Sequence, residues 1–294
     1  MSHKTKTILL LGGSGQLGYE LQKRLAEQGS FIAPSRKELD LCSSQNLSLF
    51  LDRHRPDIIV NAAAYTAVDA AENERELSKT LNSDVPRYLA NWSASNQSFL
   101  LHYSSDYTLA GTGDAPQSEA EVMRPLNWYG YTKSLGDEAI LKSGCQCLIL
   151  RTSWVYSGHH HNFLRSIINK AETQDTLSVV DDQYGTPTPA DWLAQTSVTL
   201  LDNIHDQMPK LINAVPSGYT SWFGFAEKIL NTLKERQHPV KVERIIPLAT
   251  SDLQQPARRP LNSRLQNGLL TKHLGSAINF WDDYVDTVTE NVIC

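Results

Sequence analysis

The chain has little cysteine, and none of it forms a recognisable framework. Its four cysteines, Cys42, Cys145, Cys147 and Cys294, show neither CxxC spacing nor a paired pattern. That excludes a disulfide scaffold and a cysteine-based zinc site, and leaves reduced thiols in a cytoplasmic protein as the expectation. Long apolar runs are also missing. No stretch approaches the roughly 18 residues of a membrane span, and the charged start ahead of residue 7 leads into too short an apolar run for a secretory signal. Basic blocks are absent as well: 27 Lys and Arg face 32 Asp and Glu, a net charge of −5. Without a basic stripe, neither a nucleic acid nor a membrane surface is an expected partner. Internal repeats and low-complexity segments are lacking, which excludes solenoids and tails. What remains is a globular chain of 294 residues, 40% hydrophobic and 20% charged, long enough for a large core.

The first half alternates short apolar runs with segments of helical period. Residues 7–11, 31–33, 57–61, 99–103 and 147–151 read as strands buried on both faces, since none alternates polar with apolar. Between them, 17–27, 45–54, 76–95 and 129–142 carry apolar residues three and four apart, as helices do. This order predicts an α/β fold of Rossmann type, a doubly wound parallel sheet with a smaller C-terminal substrate-binding lobe. Residues 1–150 are expected to form the dinucleotide-binding domain, completed by parts of 170–215; residues 151–294 mainly build the interleaved second lobe. In that half, 177–180 reads as a further strand of the sheet, with 189–201 as a helix packing on it. Residues 218–233 and 279–292 read as helices, and the proline-rich 247–260 as extended loop.

The first strand runs into Gly12-Gly13-Ser14-Gly15-Gln16-Leu17-Gly18, where a helix opens. Glycines at 12 or 13, 15 and 18 supply a tight turn, a bare backbone for a pyrophosphate and close helix–strand packing; the helix N-terminus adds free N–H groups. After the second strand stands Pro34-Ser35-Arg36, where an NAD-preferring site usually carries an acidic residue. A hydroxyl and a guanidinium suit a 2′-phosphate, so NADPH is favoured, with NADH still acceptable; Arg36 as a solvated loop residue is the competing reading. Asp40-Leu41 fits either the border of the adenine or, for Asp40, the cap of the next helix.

Tyr129 and Lys133 lie four residues apart, on one face of a helix. A free phenol has a pKa of about 10, and a neighbouring ammonium favours the phenolate and eases proton exchange. Tyr129 therefore reads as the proton donor to a ketone oxygen. Ser105, within Tyr103-Ser104-Ser105-Asp106-Tyr107 at the end of a strand, reads as the hydroxyl that binds the same oxygen, or as a local turn cap.

The glycine loop, the YSSDY segment and the YxxxK pair resemble the extended short-chain dehydrogenase/reductases. Finer matches point within that family to the dTDP-4-dehydrorhamnose reductases: Val60-Asn-Ala-Ala-Ala-Tyr-Thr-Ala-Val-Asp69, Arg151-Thr-Ser-Trp-Val-Tyr156, Asp182-Gln-Tyr-Gly-Thr-Pro187, and Pro256-Ala-Arg-Arg-Pro260 followed by Ser263. The resemblance implies reduction of the C4 ketone of dTDP-4-dehydro-L-rhamnose to dTDP-L-rhamnose. It implies a Ser105–Tyr129–Lys133 triad, in which Lys133 also holds the nicotinamide ribose. By the same resemblance Gly15, Gln16 and Leu17 meet the pyrophosphate, Ala64, Tyr65, Thr66 and Tyr103 line the cofactor, and Asp106 and Trp154 touch the sugar. As residues, Trp154 is either a wall suited to a deoxysugar or core, and Arg258 and Arg259 either meet a diphosphate or are solvated.

Two departures from the family pattern are expected to border the sugar pocket: serine in place of threonine at Ser105, and Thr108-Leu109 where the family has Val-Phe. They leave open a sibling dTDP-6-deoxy sugar as substrate. A different class, the non-catalytic regulatory subunit of methionine adenosyltransferase, shares the family resemblance but has no need of a tuned phenol. Partners implied are a nucleotide sugar and, at most, a second copy in a homodimer. His159-His160-His161 does not read as a metal site, because three consecutive side chains cannot face one ion from regular structure.

Overall fold

The computed structural model describes residues 6–27, 30–205 and 207–293; Met1–Thr5 and Cys294 lie outside the described residues. Six parallel strands form the central sheet in the order β10-β5-β4-β3-β1-β2: β1 Ile8–Leu11, β2 Phe31–Ile32, β3 Ile58–Asn61, β4 Phe99–Ser105, β5 Cys147–Thr152 and β10 Leu211–Asn213. The order reverses between β1 and β3, so the chain leaves these two strands in opposite directions and opens a crevice at their carboxyl ends.

The strands alternate between two dry cores. Leu10, Val60, Leu101 and Leu150 face α1 (Gln16–Leu25) and α8 (Ala190–Asp202), while Leu9, Ile59, Leu100 and Ile149 face α2 (Ser44–His54), α5 (Val85–Asn96) and α6 (Trp128–Lys142). Each such leucine or isoleucine is worth about 1.5–3 kcal/mol of burial, which holds the sheet's ends, and hence the crevice, rigid. Two short helices, α3 (Val68–Ala71) and α4 (Arg75–Lys79), follow β3.

A third core joins α7 (Phe163–Thr173), α9 (Trp222–Glu235) and α11 (Trp281–Ile293) around Ile167, Phe225, Ile229 and Val285. Short strands frame it: β6 Val155–Tyr156 pairs with β9 Thr188–Pro189, and β8 Tyr184–Gly185 lies between β11 Thr220–Ser221 and β13 Asn262–Ser263. The remaining helix, α10 (Gly268–Leu274), packs by Leu270 on the central sheet. No helix among the described residues is long and apolar enough to cross a membrane.

Three expectations are corrected. The strand at 177–180 is β7 (Thr176–Val180), but it pairs in parallel with β12 (Arg244–Leu248) in a separate two-stranded sheet. The central sheet is completed instead by β10, whose three residues carry too little pattern to stand out. β12 also replaces the start of the loop expected at 247–260; Pro247 is tolerated because the strand is an edge. Finally, the single helix expected over 76–95 is split by a π-turn at Thr80–Asp84, which turns Asn82 inward.

Candidate functional site

The glycine loop fits between strands because it lacks side chains. Gly12 has φ +81°, and a Cβ there would stand 2.5 Å from the Ala63 nitrogen and 2.6 Å from the Ala62 carbonyl carbon. A Cβ on Gly18 would stand 2.0 Å from the Gly12 oxygen, so α1 lies directly on the loop. Gly15 closes the turn by donating its N–H to the Gly12 oxygen at 3.0 Å and caps α1 without a side chain. The first-turn N–H groups of α1, at Gln16, Leu17 and Gly18, are therefore open to an anion. Gly12–Gly15, Pro34, Arg36, Asp40, Leu41 and Ala62–Ala64 wall one continuous cleft. Its bare backbone and helix terminus suit a dinucleotide pyrophosphate.

Ser35 is engaged: its N–H and its hydroxyl both donate to Glu38 Oε2, each at 2.8 Å. Arg36 is exposed on the cleft wall. Asp40 does not cap α2; its Oδ1 accepts from the Cys42 N–H at 3.0 Å, and Ser43 is the cap, accepting from the Asn46 N–H. Across the cleft, Tyr65 is held through its backbone. Its N–H donates to Asn82 Oδ1 at 2.9 Å and its carbonyl accepts from Asn82 Nδ2 at 3.0 Å, while Thr66 is exposed. Asn82 escaped the sequence reading because its role depends on the π-turn and on Gly136, where a Cβ would stand 2.2 Å from the Asn82 oxygen.

Ser105 ends β4 opposite Thr152 of β5. Its hydroxyl donates to Asp106 Oδ1 at 2.8 Å and accepts from the Tyr107 N–H at 3.2 Å, and it lies near enough to the Tyr129 phenol to act on its ionisation. The first turn of α6 can approach because residue 130 is glycine; a Cβ there would stand 2.1 Å from the Tyr107 oxygen. Asn127 caps that turn by accepting the Gly130 N–H at 2.8 Å and donates to the Arg258 carbonyl at 2.8 Å. Burial pushes the Tyr129 phenol up, against the pull of Ser105, so it stands as a neutral acid. Lys133 is 2% exposed, and burial pushes its ammonium down to about 8, opposed by Asp137 one turn on. Its Nζ donates to the Tyr103 carbonyl at 2.6 Å. The Tyr103 side chain itself is buried in the core with its hydroxyl donating to Ser197, so it meets the site only through that carbonyl.

Asp106 is 3% exposed, and burial raises its carboxyl to about 6, against the pull of the nearby Ser263 hydroxyl and of the Ser105 hydroxyl that donates to it. Because the folded state holds this proton more tightly than the unfolded chain, stability falls as pH rises from about 4 to 6 and stays lower above. Asp106→Asn is therefore expected to raise unfolding free energy at pH 7 by up to about 3 kcal/mol, with the gain vanishing near pH 4. Urea titrations of both proteins at the two pH values check the sign.

A second cleft lies under the third core, lined by Tyr107, Phe163, Lys170, Gln183, Trp222 and Arg259. Arg259 is aimed by Asp69, to which its Nη2 donates at 2.5 Å, while the Ala257 N–H donates to the other oxygen of Asp69. Two sequence motifs far apart in the chain thus close on each other. Arg258 is exposed outside this cleft. Trp154, with φ +46°, stacks on Trp222 at 3.7 Å and covers Gly185; Trp222 rather than Trp154 lines the cleft. Trp222, Phe163 and Lys170 carry no sequence signal beyond the apolar faces of ordinary helices. Gln16 Oε1 accepts from Ser157 Oγ and from Asn162 Nδ2, each at 3.0 Å, which ties α1 to the cap of α7.

The Thr108-Leu109 departure does not border the sugar pocket as expected. Leu109 packs with Val215 and Leu265 in a small core, and the Thr108 hydroxyl donates to the Ser105 carbonyl at 2.8 Å. The histidine run lies beside α1, with His159 edge-on to Tyr19 at 4.7 Å and its Nε2 3.7 Å from Glu20. Among the described residues, no group of three His, Cys, Asp or Glu side chains is placed to hold a metal.

Comparison with known proteins matches the RmlD substrate binding domain over residues 6–294. A dTDP-4-dehydrorhamnose reductase of Burkholderia thailandensis is 36% identical over 282 residues, covering 93% of this chain and 95% of its own. That of Salmonella typhimurium is 35% identical over 281 residues, covering 94% of each. Among solved structures, a dTDP-4-dehydrorhamnose reductase of Clostridium acetobutylicum superposes with a TM-score of 0.89 at 30% identity, over 97% of this chain and 99% of its own. One from Bacillus anthracis, in complex with NADP, gives a TM-score of 0.88 at 29% identity, over 98% and 100%.

Proposed function

We infer the function from the family to which this chain belongs, that of the RmlD substrate binding domain: the protein is an NADPH-dependent reductase of the C4 ketone of dTDP-4-dehydro-L-rhamnose. The observation that carries the reading is the convergence of Ser105, at the carboxyl end of β4, with Tyr129 in the first turn of α6, beside Tyr107, which lines the second cleft.

The glycine cradle and the first turn of α1 would hold the pyrophosphate of the cofactor, and Lys133 the nicotinamide ribose. NADPH bound there would supply the hydride for the ketone carbon. Ser105 and Tyr129 bind the ketone oxygen, and the neutral Tyr129 phenol gives it a proton as negative charge develops there. The adjacent Lys133 ammonium stabilises the phenolate that remains. Arg259, held by Asp69, faces the second cleft with a charge that suits a diphosphate, and Trp222 and Phe163 offer aromatic faces there.

Loss of NADPH absorbance with freshly made dTDP-4-dehydro-L-rhamnose tests the proposal, with the product identified by NMR as dTDP-L-rhamnose. Measurable NADPH binding without oxidation would reject it.

The cofactor preference has its own test. Arg36→Ala is expected to weaken NADPH by about 10- to 100-fold, the worth of a charge-assisted hydrogen bond, and NADH hardly at all. Glu38→Gln removes a negative charge two residues from Arg36 and should favour NADPH over NADH. Dissociation constants for both nucleotides decide it; unchanged values in both variants would reject the 2′-phosphate assignment.

A further inference from the structure

Asp106 follows Ser105 in the chain, is buried, and has no part in the mechanism above. One of its oxygens is engaged and the other is not. Oδ1 takes the Ser105 hydroxyl at 2.8 Å, while Oδ2 is buried without a hydrogen bond among the described residues. A buried carboxylate oxygen with no donor is costly, and the same group costs much less once it is protonated. Burial accordingly brings its ionisation up to about 6, within ordinary pH. The ionisable groups that act around it are Tyr129 on α6, Arg151 on β5 and Tyr107 beside it, with Arg259 beyond Tyr107; Ser263 of β13 is the nearby neutral donor.

The backbone fixes the two side chains on each other. Ser105 caps the short turn Asp106–Thr108, taking the Tyr107 N–H at 3.2 Å, and the Thr108 hydroxyl donates to the Ser105 carbonyl at 2.8 Å. A serine hydroxyl has one hydrogen and two lone pairs. One lone pair is spent on the Tyr107 N–H. While Asp106 is ionised, the hydrogen goes to its Oδ1, and Ser105 can then only accept. A ketone oxygen is itself an acceptor, so in that state Ser105 has nothing to give it. Once Oδ1 carries a proton, it donates to the second lone pair of Ser105, and the serine hydrogen is free to turn. Both states keep the same heavy-atom contact; only hydrogens move.

Resting on the functional reading above, we propose that Asp106 is the positioning residue for the Ser105 hydrogen: as a carboxylate it holds that hydrogen off the ketone oxygen, and as an acid it releases it. The proton that Asp106 takes from solvent stays on it through the reaction, so the hydride and the Tyr129 proton are transferred as before.

The test uses the full chain and its variants at Asp106 and Ser105. In the wild type kcat/KM should fall by about 10²-fold as pH rises through the Asp106 midpoint at about 6, the worth of one donor aimed at a developing oxyanion. This limb is separate from that of Lys133 at about 8. The bound ketone favours the state that releases the hydrogen, so the same limb in kcat should stand at higher pH. Asp106→Asn cannot ionise and should lack the limb. Ser105→Ala keeps the carboxyl but has no hydrogen to turn, so its kcat/KM should be flat over the same range, at the lower wild-type level. Ser105→Thr restores the hydroxyl and should restore the limb. Titration of Asp106 by NMR on aspartate-labelled protein reads the contact without turnover: Ser105→Ala should raise the midpoint by about one pH unit, because the carboxylate loses its donor. A wild-type profile without the limb, a limb that persists in Asp106→Asn or Ser105→Ala, or an unmoved or lowered Asp106 midpoint in Ser105→Ala overturns the proposal. If Asp106→Asn does not fold, the serine variants decide it. If wild-type protein leaves the ketone unreduced, the functional reading fails by itself, and the NMR midpoint still decides whether Asp106 holds the Ser105 hydroxyl.

Discussion

Tyr129→Phe is expected to lower turnover by roughly 10²- to 10⁴-fold, the usual worth of a positioned general acid, while NADPH binding stays within about twofold. The substitution removes one oxygen. The ring keeps its edge-to-face contact with Tyr107 at 5.8 Å, and the Asn127 cap of α6 is untouched, so the helix keeps its place. Ser105 keeps its bonds to Asp106 and the Tyr107 N–H. The proton to the ketone oxygen must then come from water or from the weaker acid Ser105. Single-turnover rates with saturating NADPH, together with a separate measurement of the nucleotide dissociation constant, check both halves. A variant that keeps more than a tenth of the rate would reject Tyr129 as the acid.

Gly18→Ala should produce the second large effect, on cofactor binding and on the fold at once. The added methyl would stand 2.0 Å from the Gly12 oxygen and 2.7 Å from the Gly13 Cα, and neither atom belongs to a flexible side chain. Either α1 lifts away from β1 or the loop moves out, and each displaces the first-turn N–H groups from the pyrophosphate position. Overpacking of this kind costs about 1–3 kcal/mol, so the midpoint of thermal unfolding should fall by several degrees. NADPH affinity should fall by at least about tenfold, since every contact of the cradle depends on the same approach. Gly15→Ala separates the two effects. The one atom near its Cβ is the Gly12 oxygen at 3.5 Å, so the protein tolerates the methyl and only the nucleotide meets it.

Much of this protein was legible because the signals are local. Parallel strands buried on both faces must be short and apolar, and helices between them must repeat near 3.6 residues, so five of the six central strands declared themselves. The glycines at 12, 15 and 18 could be read because a turn that meets a helix N-terminus needs bare backbone at that spacing. Tyr129 and Lys133 could be read because four residues make one helical turn.

The cleft behind Tyr107 was not legible. Its walls come from α7, α9 and the loop before β13; Arg259 could be singled out from its motif, but Phe163 and Trp222 look in sequence like ordinary core residues. Ser35 and Thr108 were misplaced for a related reason: a hydroxyl's partner is chosen by whatever the fold brings near, here Glu38 and the Ser105 carbonyl.

By itself, then, the sequence determined the α/β class, the glycine turn that opens α1 and the placing of Tyr129 and Lys133 one turn apart on α6, all consequences of spacing along one strand or helix. Only the tertiary structure decided that Leu211–Asn213 completes the sheet, that Trp222 takes the cleft position foreseen for Trp154, and that Lys133 donates to the Tyr103 carbonyl. Each of those depends on contacts between residues distant in the chain, and such contacts leave no period to be read.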